Sequence, residues 1–419
     1  MCRRLFLLTA GRCSRKKLNE QRRCKGGTQG VAEAFGKVAA NNLLKTMDQQ
    51  HYIDIPTIAI ADPASASSWE WAAGLDSVPK LSMEEMMTIS GRADAFQLVS
   101  EDIDTMSGGI KELLGSDHPV LEQCAKYFFD IDGGKKIRPT MVMAISHALN
   151  TQSTFKKTAK EVLQLQKRLA EITEMIHTAS LFHDDVIDKA ASRRGVASVN
   201  QAFGNKLAVL GGDFLLSRAS VALARLRNIE VVELLSTVIE HLVKGEIMQM
   251  KPSCSGRSSL EYYLRKNYYK TASLMGNSCL AAAVLGEHTQ EHQKAAYLYG
   301  TYVGQAFQLI DDALDFEGST SSIGKAPLAD LKSGLATAPT IFAAEEYPKL
   351  ATLIDRKFDA PGDIDEAFQL VNQSRGLEKT KLLARVHAEE AIEAISKLEG
   401  SPARDALISL ACKVVSRTH

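Results

Sequence analysis

The sequence predicts an all-α protein, on three observations. From about Leu81 to the C-terminus, apolar residues recur at spacings of three and four, which is the period of helices that bury one face. Prolines are rare over this region, so few of these helices would be interrupted. No convincing run alternates apolar and polar residues as a half-buried strand does, and no Asn-Gly pair joins two such runs.

The expected helices follow one another with short connections, as in a helical bundle. In the first of them, Ile103, Met106 and Ile110 keep the helical rhythm. The next are predicted over Val120–Phe129, Ile137–Leu149, Ala159–Leu181, Val231–Met250, Tyr262–Leu285 and Ala295–Phe316, and several more follow from Ile364.

The charge balance argues against a general nucleic-acid binder. The chain has 419 residues, with 50 Lys and Arg against 50 Asp and Glu. A protein that neutralises phosphates along a nucleic acid needs a basic surplus. The length is sufficient for one large core or for two ordinary ones.

Neither a membrane span nor a disulfide framework is expected. The best candidate span, Leu207–Leu226, carries Asp213, Arg218 and Arg225, so we reject it. The seven cysteines are scattered without a C-x-x-C pair. Such an odd and unclustered set is typical of free thiols in a reducing compartment.

The N-terminus differs in charge from the rest of the chain. Residues 1–46 contain eleven Lys or Arg and only two Glu, a net charge of +9. An Arg-rich, acid-poor start predicts an organelle transit peptide, with the mitochondrion favoured over the plastid. The alternative is a basic tail that carries no targeting signal. Residues 47–80, with three prolines, are expected to form a linker or arm. Residues 81–419 then form the catalytic domain.

Two aspartate motifs carry the predicted chemistry. The sequence D-D-V-I-D at 184–188 and the sequence D-D-A-L-D at 311–315 each end an apolar helix. The first and last Asp of each motif stand four residues apart, on one helix face, where like charges repel. Two copies in apolar surroundings are hard to explain as solvated faces. Mg²⁺ prefers a few carboxylates together with phosphate oxygens and water, so two such helices would clamp a diphosphate.

Cationic residues accompany both motifs. The sequence G-G-K-K-I-R-P at 133–139 opens a helix and carries Lys135 and Arg138 one turn apart. Arg193 and Arg194 follow the first Asp motif, and Lys325 follows the second. The sequence Y-K-T-A at 269–272 is expected to begin another apolar helix. Each group alone would be typical of a solvated face, but arginine also suits phosphate binding.

His177 has two interpretations. It lies two turns before Asp184 on the same helix face, where it could be a core histidine or a donor to a phosphate. Glu174 and His177 also form an E-x-x-H pair, which raises a di-iron carboxylate bundle as an alternative. That site requires a second E-x-x-H on another helix, and we find none in the sequence.

These motifs together resemble the trans-type polyprenyl diphosphate synthases, above all the mitochondrial long-chain enzymes of ubiquinone side-chain synthesis. The resemblance runs from about Leu81 to the C-terminus. It rests on G-G-K-x-x-R-P, both Asp motifs, Lys270-Thr271, F-Q-L-I-D-D-A-L-D at 307–315 and G-L-A-T-A-P at 334–339. It implies an isoprenoid-synthase-type bundle of long helices around a central cavity.

The resemblance also implies residue roles and partners. Mg²⁺ would be bound by the catalytic carboxylates Asp184, Asp185, Asp188, Asp311, Asp312 and Asp315. Isopentenyl diphosphate would be bound by Lys135, Arg138, His177 and Arg194. The allylic diphosphate would be contacted by Arg193, Lys270, Thr271, Gln308 and Lys325. The chain would act as a homodimer or as a hetero-oligomer with a related subunit.

The resemblance further implies a long product. Short-chain relatives carry an aromatic residue near the positions five and four residues before Asp184, where this chain has Ala179 and Ser180. The alternative is that Ala179 is ordinary helix packing. A long product that anchors a quinone also predicts a loose, peripheral contact between the enzyme and the membrane.

Two rival functions remain at this stage. A class I terpene cyclase would share the fold and one Asp motif, but its second metal motif is of the N-D-x-x-S-x-x-x-E type. A non-catalytic partner subunit would only stabilise an active chain. Both Asp motifs are intact here, which counts against each rival.

Overall fold

The computed structural model describes residues 79–115, 136–151, 158–193, 195–250, 259–317 and 328–417, together with residues 119, 123 and 127. All of them belong to one structural unit. Within this part of the chain, the fold is almost entirely helical, as predicted. The helices are α1 (Met83–Ser90), α2 (Ala95–Leu98), α3 (Ser100–Leu114), α4 (Ile137–Asn150), α5 (Ala159–Ile187), α6 (Val199–Phe203), α7 (Asn205–Arg225), α8 (Ile229–Met250), α9 (Leu260–Asn267), α10 (Ser273–Leu285), α11 (Gln290–Glu317), α12 (Ala329–Lys332), α13 (Ala338–Glu346), α14 (Lys349–Asp355), α15 (Asp363–Gln373), α16 (Gly376–Ile395) and α17 (Pro402–Ser416).

A small hairpin corrects the expectation that the chain has no strand. Strand β1 (Ser192–Arg193) pairs antiparallel with β2 (Val196–Ala197), directly after the first Asp motif. The turn has Gly195 at φ +78°, a conformation that glycine adopts without a steric penalty. Strands of two residues are too short to show an alternating pattern, so the sequence could not indicate them.

The longest helix, α5, begins at a capping box. The Thr158 side chain accepts a hydrogen bond from the backbone N–H of Glu161, and the Glu161 carboxylate accepts one from the backbone N–H of Thr158. These two bonds satisfy donors that a helix start leaves free. Helix α5 then runs 29 residues to the first Asp motif and ends at Asp188, its C-cap. The predicted helix over Ala159–Leu181 is therefore confirmed and continues through the motif.

Helices α10 and α11 form the centre of the core. Every residue of α10 is buried, so this helix is surrounded by protein on all sides. A side chain at Gly300 of α11 would come within 2.6 Å of the Met275 carbonyl oxygen. Glycine at this position therefore permits the two helices to pack closely. The second Asp motif lies near the C-terminal end of α11.

Helix α7 is the one described helix long and apolar enough to cross a membrane by length and composition. It packs against α5 through a side that contains Gly211, Gly212, Leu215 and Ala219. Within it, the Arg218 side chain donates a hydrogen bond to the Leu113 carbonyl oxygen at 2.7 Å. These contacts support the rejection of a span made from the sequence.

Helices α9 and α10 belong to one continuous helical rod. A five-residue π-helical turn, Tyr268–Ala272, joins them. Lys270 and Thr271 therefore lie within the rod, and they do not begin a new helix as the sequence suggested. Single π-turns of this kind are frequent at functional sites.

Candidate active site

Both Asp motifs face one cavity. Its volume is about 410 Å³, and it lies between α5, the rod formed by α9 and α10, and α11. The carboxylates that line it are Asp184, Asp311, Asp312, Asp315 and Asp330. The cations that line it are Arg138, Lys266, Lys270 and Arg417. The His177, Thr271 and Gln308 side chains also reach its wall.

The three aspartates of the first motif have different surroundings. Asp184 faces the cavity, whereas Asp188 lines an adjoining cavity of about 320 Å³. Asp185 is 1% exposed and is bound by Arg193 of the hairpin, whose Nη2 and Nε lie 2.6 and 2.8 Å from Oδ1. The hairpin thus fixes the position of Asp185, because Arg193 forms an ion pair with the Asp185 carboxylate. Arg193 is therefore not an unpaired cation at the cavity.

The second motif is supported by a hydrogen-bond network. Asp312, 2% exposed, accepts bonds from the Tyr263 hydroxyl at 2.5 Å and from Gln308 Nε2 at 2.8 Å. Asp315 accepts bonds from two backbone N–H groups at the start of α12, each at 3.2 Å. Asp311 is the open member of the motif, with a side chain 47% exposed.

Burial raises the pKa of carboxyl groups in both motifs. The pKa of Asp184 rises to about 6, mainly because burial disfavours the charged form, with Glu246 and Asp188 adding repulsion. Burial and the nearby Asp330 raise the pKa of Asp312 to about 7. Lys270 lowers the pKa of Asp184, and Lys266 lowers the pKa of Asp312, but neither effect cancels the rise. Burial is the main cause of both shifts, and a bound cation would oppose them by favouring the charged carboxylates.

The raised pKa of Asp312 predicts a pH-dependent stability of the metal-free protein. The folded state favours the protonated form of the Asp312 carboxyl. The stability that this protonated carboxyl contributes is complete below the ordinary pKa of 3.8 and is lost as the pH rises through about 7. We expect the melting temperature in EDTA to fall between about pH 5 and about pH 7.5. Asp312→Asn should show a weaker fall, and equal slopes in the two proteins would contradict this prediction.

Lys270 approaches the cavity because its neighbour has no side chain. A Cβ at Gly245 of α8 would lie 2.6 Å from Lys270 Cγ. The Lys270 ammonium is 2.5 Å from Glu246 Oε2, and both side chains are mostly buried. Beside it, the Thr271 hydroxyl donates to Gln308 Oε1 at 3.2 Å. The predicted trio of Lys270, Thr271 and Gln308 is thus brought together on one wall.

Arg138 and His177 meet at another part of the cavity wall. Arg138 Nη1 lies 3.1 Å from His177 Nε2, so α4 and α5 contribute one residue each to a polar pair. This pair is compatible with binding a second anion and does not match a di-iron ligand set. The three other predicted cations, Lys135, Arg194 and Lys325, lie outside the described residues.

Only one of the two chain-length positions lines the cavity. Ser180 does so, and its hydroxyl donates to the His177 carbonyl oxygen at 2.8 Å. Ala179 is fully buried in the interior beside it.

Sequence reasoning missed several charged or polar residues of the site, among them Asp330, which lines the cavity. Glu246, Tyr263 and Lys266 contact the predicted residues or line the cavities with them. Lys266 stands four residues before Lys270, and that spacing was a signal the sequence offered. Arg417 lies near the C-terminus, where its guanidinium stacks on the Phe307 ring at 3.9 Å and lies 3.5 Å from Asp311 Oδ1. No local pattern could have assigned it to this site.

No group of three His, Cys, Asp or Glu side chains is gathered as a preformed metal site within the described residues. The carboxylates of the two motifs instead stand on different walls of the cavity. This arrangement suits a hard cation that completes its ligands with substrate oxygens and water.

Comparison with known proteins agrees with this geometry. The family model for polyprenyl synthetase matches residues 118–371. The mitochondrial solanesyl-diphosphate synthase 1 of rice is 47% identical over 339 residues, which cover 78% of this chain and 79% of that protein. Decaprenyl-diphosphate synthase subunit 1 of Schizosaccharomyces pombe is 42% identical over 346 residues, 77% of this chain and 91% of the other.

A solved structure has the same fold. The polyprenyl synthase of Caulobacter crescentus, complexed with calcium and isoprenyl diphosphate, superimposes with a TM-score of 0.69 at 30% identity. The match covers 78% of this chain and 97% of that one. The two acidic motifs face one cation-lined cavity, and the family model and the relatives cover most of the chain. The chain therefore belongs to the polyprenyl synthetase family of prenyltransferases.

Proposed function

We propose that the protein adds isopentenyl diphosphate units, head to tail and in trans, to an allylic diphosphate, giving a long polyprenyl diphosphate for ubiquinone synthesis. The observation that carries this proposal is the single cavity lined by both Asp motifs and by cations from α4, the α9–α10 rod and the C-terminus. One diphosphate would lie between the Asp motifs and Lys270. The second would lie near Arg138 and His177.

We further propose Mg²⁺ as the metal. The donors that face the cavity are carboxylate oxygens, which are hard ligands, and no thiolate lines it among the described residues. Asp184, Asp311 and Asp315 are the residues that would hold the ions, with Asp188 at the edge of the adjoining cavity. When bound, Mg²⁺ supplies charge that stabilises the leaving pyrophosphate.

The reaction divides between leaving-group binding and positioning. Lys270 would donate to the allylic diphosphate as the bond between C1 and oxygen breaks. Arg138 and His177 would hold the diphosphate of the isopentenyl substrate, and its double bond then attacks the allylic cation and forms the new carbon–carbon bond. The proton lost from the isopentenyl unit passes to the released pyrophosphate. Water would have to be kept from the allylic cation during this step, because it would otherwise capture the cation.

The long product and the mitochondrial location rest on separate observations. Solanesyl and decaprenyl chains, which the names of the two relatives state, are both long. Small residues at 179 and 180 are consistent with such a product. We assign the protein to the mitochondrion because of the basic segment 1–46, which lies outside the described residues, and because the rice relative is named mitochondrial.

Turnover by the purified chain tests the function. With farnesyl diphosphate, isopentenyl diphosphate and Mg²⁺, we expect mass spectrometry to find a linear polyprenyl diphosphate longer than geranylgeranyl. A cyclic hydrocarbon formed without isopentenyl diphosphate would indicate a terpene cyclase. The absence of turnover by the chain alone, with activity restored by a second subunit, would indicate that the chain needs a catalytic partner.

We also propose that a second copy of the chain covers the exposed face of α7 and α8. On α8, Val243, Ile247 and Met250 follow one side of the helix and are each about half exposed, and Leu210 of α7 is 53% exposed. A two-fold axis would let this face pair with itself. The Schizosaccharomyces relative is named as a subunit, so an assembly is expected in this family.

Sedimentation of the purified protein tests this interface. We expect a dimer of the 45.7 kDa chain, and a shift toward monomer in the variant Val243→Lys/Ile247→Lys. A wild-type monomer would contradict the proposal. If that monomer floated with lipid vesicles, the face would bind membrane instead, and if it bound a related synthase subunit, the enzyme would be a hetero-oligomer.

A further inference from the structure

Lys266 occupies a position that the proposed function does not yet use. It lies on α9, one turn before Lys270, at the boundary between the active-site cavity and the adjoining one. Three residues line both cavities, and Lys266 is the only charged one among them; the others are Gln249 and Leu335.

The Lys266 ammonium has no ion-pair partner within the described residues, unlike other cations near the site. Lys270 is paired with Glu246, Arg193 with Asp185, and Arg417 with Asp311. The ammonium of Lys266 instead lies 5.2 Å from the centre of the Tyr263 ring. The carboxylates that act on its charge are Asp312, Asp330 and Glu246, none of which forms a salt bridge with it.

Two lysines on one helix face are unfavourable without an anion. Lys266 and Lys270 stand four residues apart and both reach the same cavity, so their charges repel across a wall with little access to water. A diphosphate carries negative charge on two linked phosphoryl groups, so it can accept hydrogen bonds from both ammonium groups at once. Tyr263 restrains the Lys266 side chain through its ring while its hydroxyl holds Asp312.

We infer that Lys266 is a further contact for the diphosphate of the allylic substrate, at the side of the second Asp motif. This inference rests on the proposed function, because it concerns the same cavity. Lys270 and Lys266 then bind the diphosphate from one helix, and Lys266 extends the contact toward the adjoining cavity. The side chain binds substrate and stabilises the leaving group as it departs.

The test compares Lys266→Met, which removes the charge but keeps most of the side-chain length, with Lys266→Arg, which keeps the charge. With farnesyl diphosphate as the starter, we expect the Met variant to raise KM for the allylic substrate at least about tenfold, equivalent to about 1.4 kcal/mol. The KM for isopentenyl diphosphate should stay within about twofold, and the Arg variant should recover most of the loss.

Calorimetry with farnesyl thiolodiphosphate, a slowly ionising analogue, and Mg²⁺ provides a reading independent of turnover. Its Kd should rise in parallel with the allylic KM in Lys266→Met. Lys160→Met is the matched control, because Lys160 is exposed at the start of α5, about 36 Å along the helix from Asp184. If Lys266→Met folds poorly, as judged by circular dichroism, Lys266→Gln replaces it.

Three outcomes would overturn the inference. The first is an unchanged Kd for the analogue in the charge-removing variant. The second is a rise in KM for isopentenyl diphosphate alone, which would assign Lys266 to the other substrate. The third is an equal loss in the Arg and Met variants, which would mean that packing matters and charge does not. A wild-type protein that binds the analogue but makes no polyprenyl product would refute the proposed function while leaving this inference intact.

Discussion

Replacing Asp184 or Asp311 with alanine is expected to reduce turnover by about three orders of magnitude or more, because each change removes a carboxylate that faces the leaving diphosphate. The two residues come from different helices, α5 and α11, which the cavity separates. A clamp that needs both sides fails when either side is lost. The two variants should therefore be similarly inactive, even at saturating Mg²⁺.

The same changes should leave the fold intact. Burial raises the pKa of Asp184 to about 6, so its charged form is disfavoured in the folded protein without metal. Asp311 is about half exposed, and its ion pair with Arg417 is long, at 3.5 Å. Arg417 is mostly buried, but it also donates a hydrogen bond to the Phe307 carbonyl oxygen at 2.8 Å, so it keeps a partner when Asp311 is lost, and the long pair should contribute about 1 kcal/mol. Loss of activity with an unchanged melting temperature therefore distinguishes a catalytic role from a structural one.

Steady-state rates and thermal melts of the two variants provide the measurement. Asp104→Ala is the control, because Asp104 is an exposed carboxylate on α3 and its removal should change neither quantity. Near-normal turnover by Asp184→Ala or Asp311→Ala at saturating Mg²⁺ would refute the two-sided clamp.

The parts of the site that the sequence predicted are those with a helical period. The spacing of apolar residues located α5 and α11. The four-residue spacing of the second motif placed Asp311 and Asp315 toward one cavity, whereas in the first motif Asp184 lines this cavity and Asp188 lines the adjoining one. Lys270 and Thr271 also reach this cavity, although the π-turn that carries them has no signature in composition.

The parts that the sequence did not predict depend on contacts between distant segments. Asp185 is paired with Arg193 because a hairpin too short to be recognised folds back onto the end of α5. Arg417 stands 106 residues from Asp311 and meets it only through the packing of α17 and α11. Glu246 is joined to Lys270 across two helices that approach at Gly245. Periodicity describes one element at a time, so it cannot report such pairs.

The length of the product should be controlled where α5 leaves the active-site cavity. Ser180 lines the cavity, and Ala179 follows it around the helix, about 7.5 Å along the axis from Asp184. Farther from the Asp motif, the same side of α5 carries Ile176, Ile172 and Leu169, all apolar and fully buried. A growing prenyl tail that follows this side meets only small side chains at its entrance.

Ala179→Phe is therefore expected to shorten the main product to about the farnesyl or geranylgeranyl class while leaving the first condensation intact. The ring would add bulk beside Ser180, and the added volume in a fully buried position should cost about 1–3 kcal/mol of stability. Mass spectrometry of the products, together with a thermal melt, measures both effects.

Ala170→Phe separates tail blocking from simple overpacking. Ala170 is also buried on α5, but it lies nine residues away and thus on the opposite side of the helix. It should lose similar stability and keep the wild-type product length, because the added ring does not stand beside the tail. If both variants shorten the product, distortion of α5 is the cause. If Ala179→Phe folds and still makes the wild-type product, the tail does not pass Ala179, and a different side of α5 borders it.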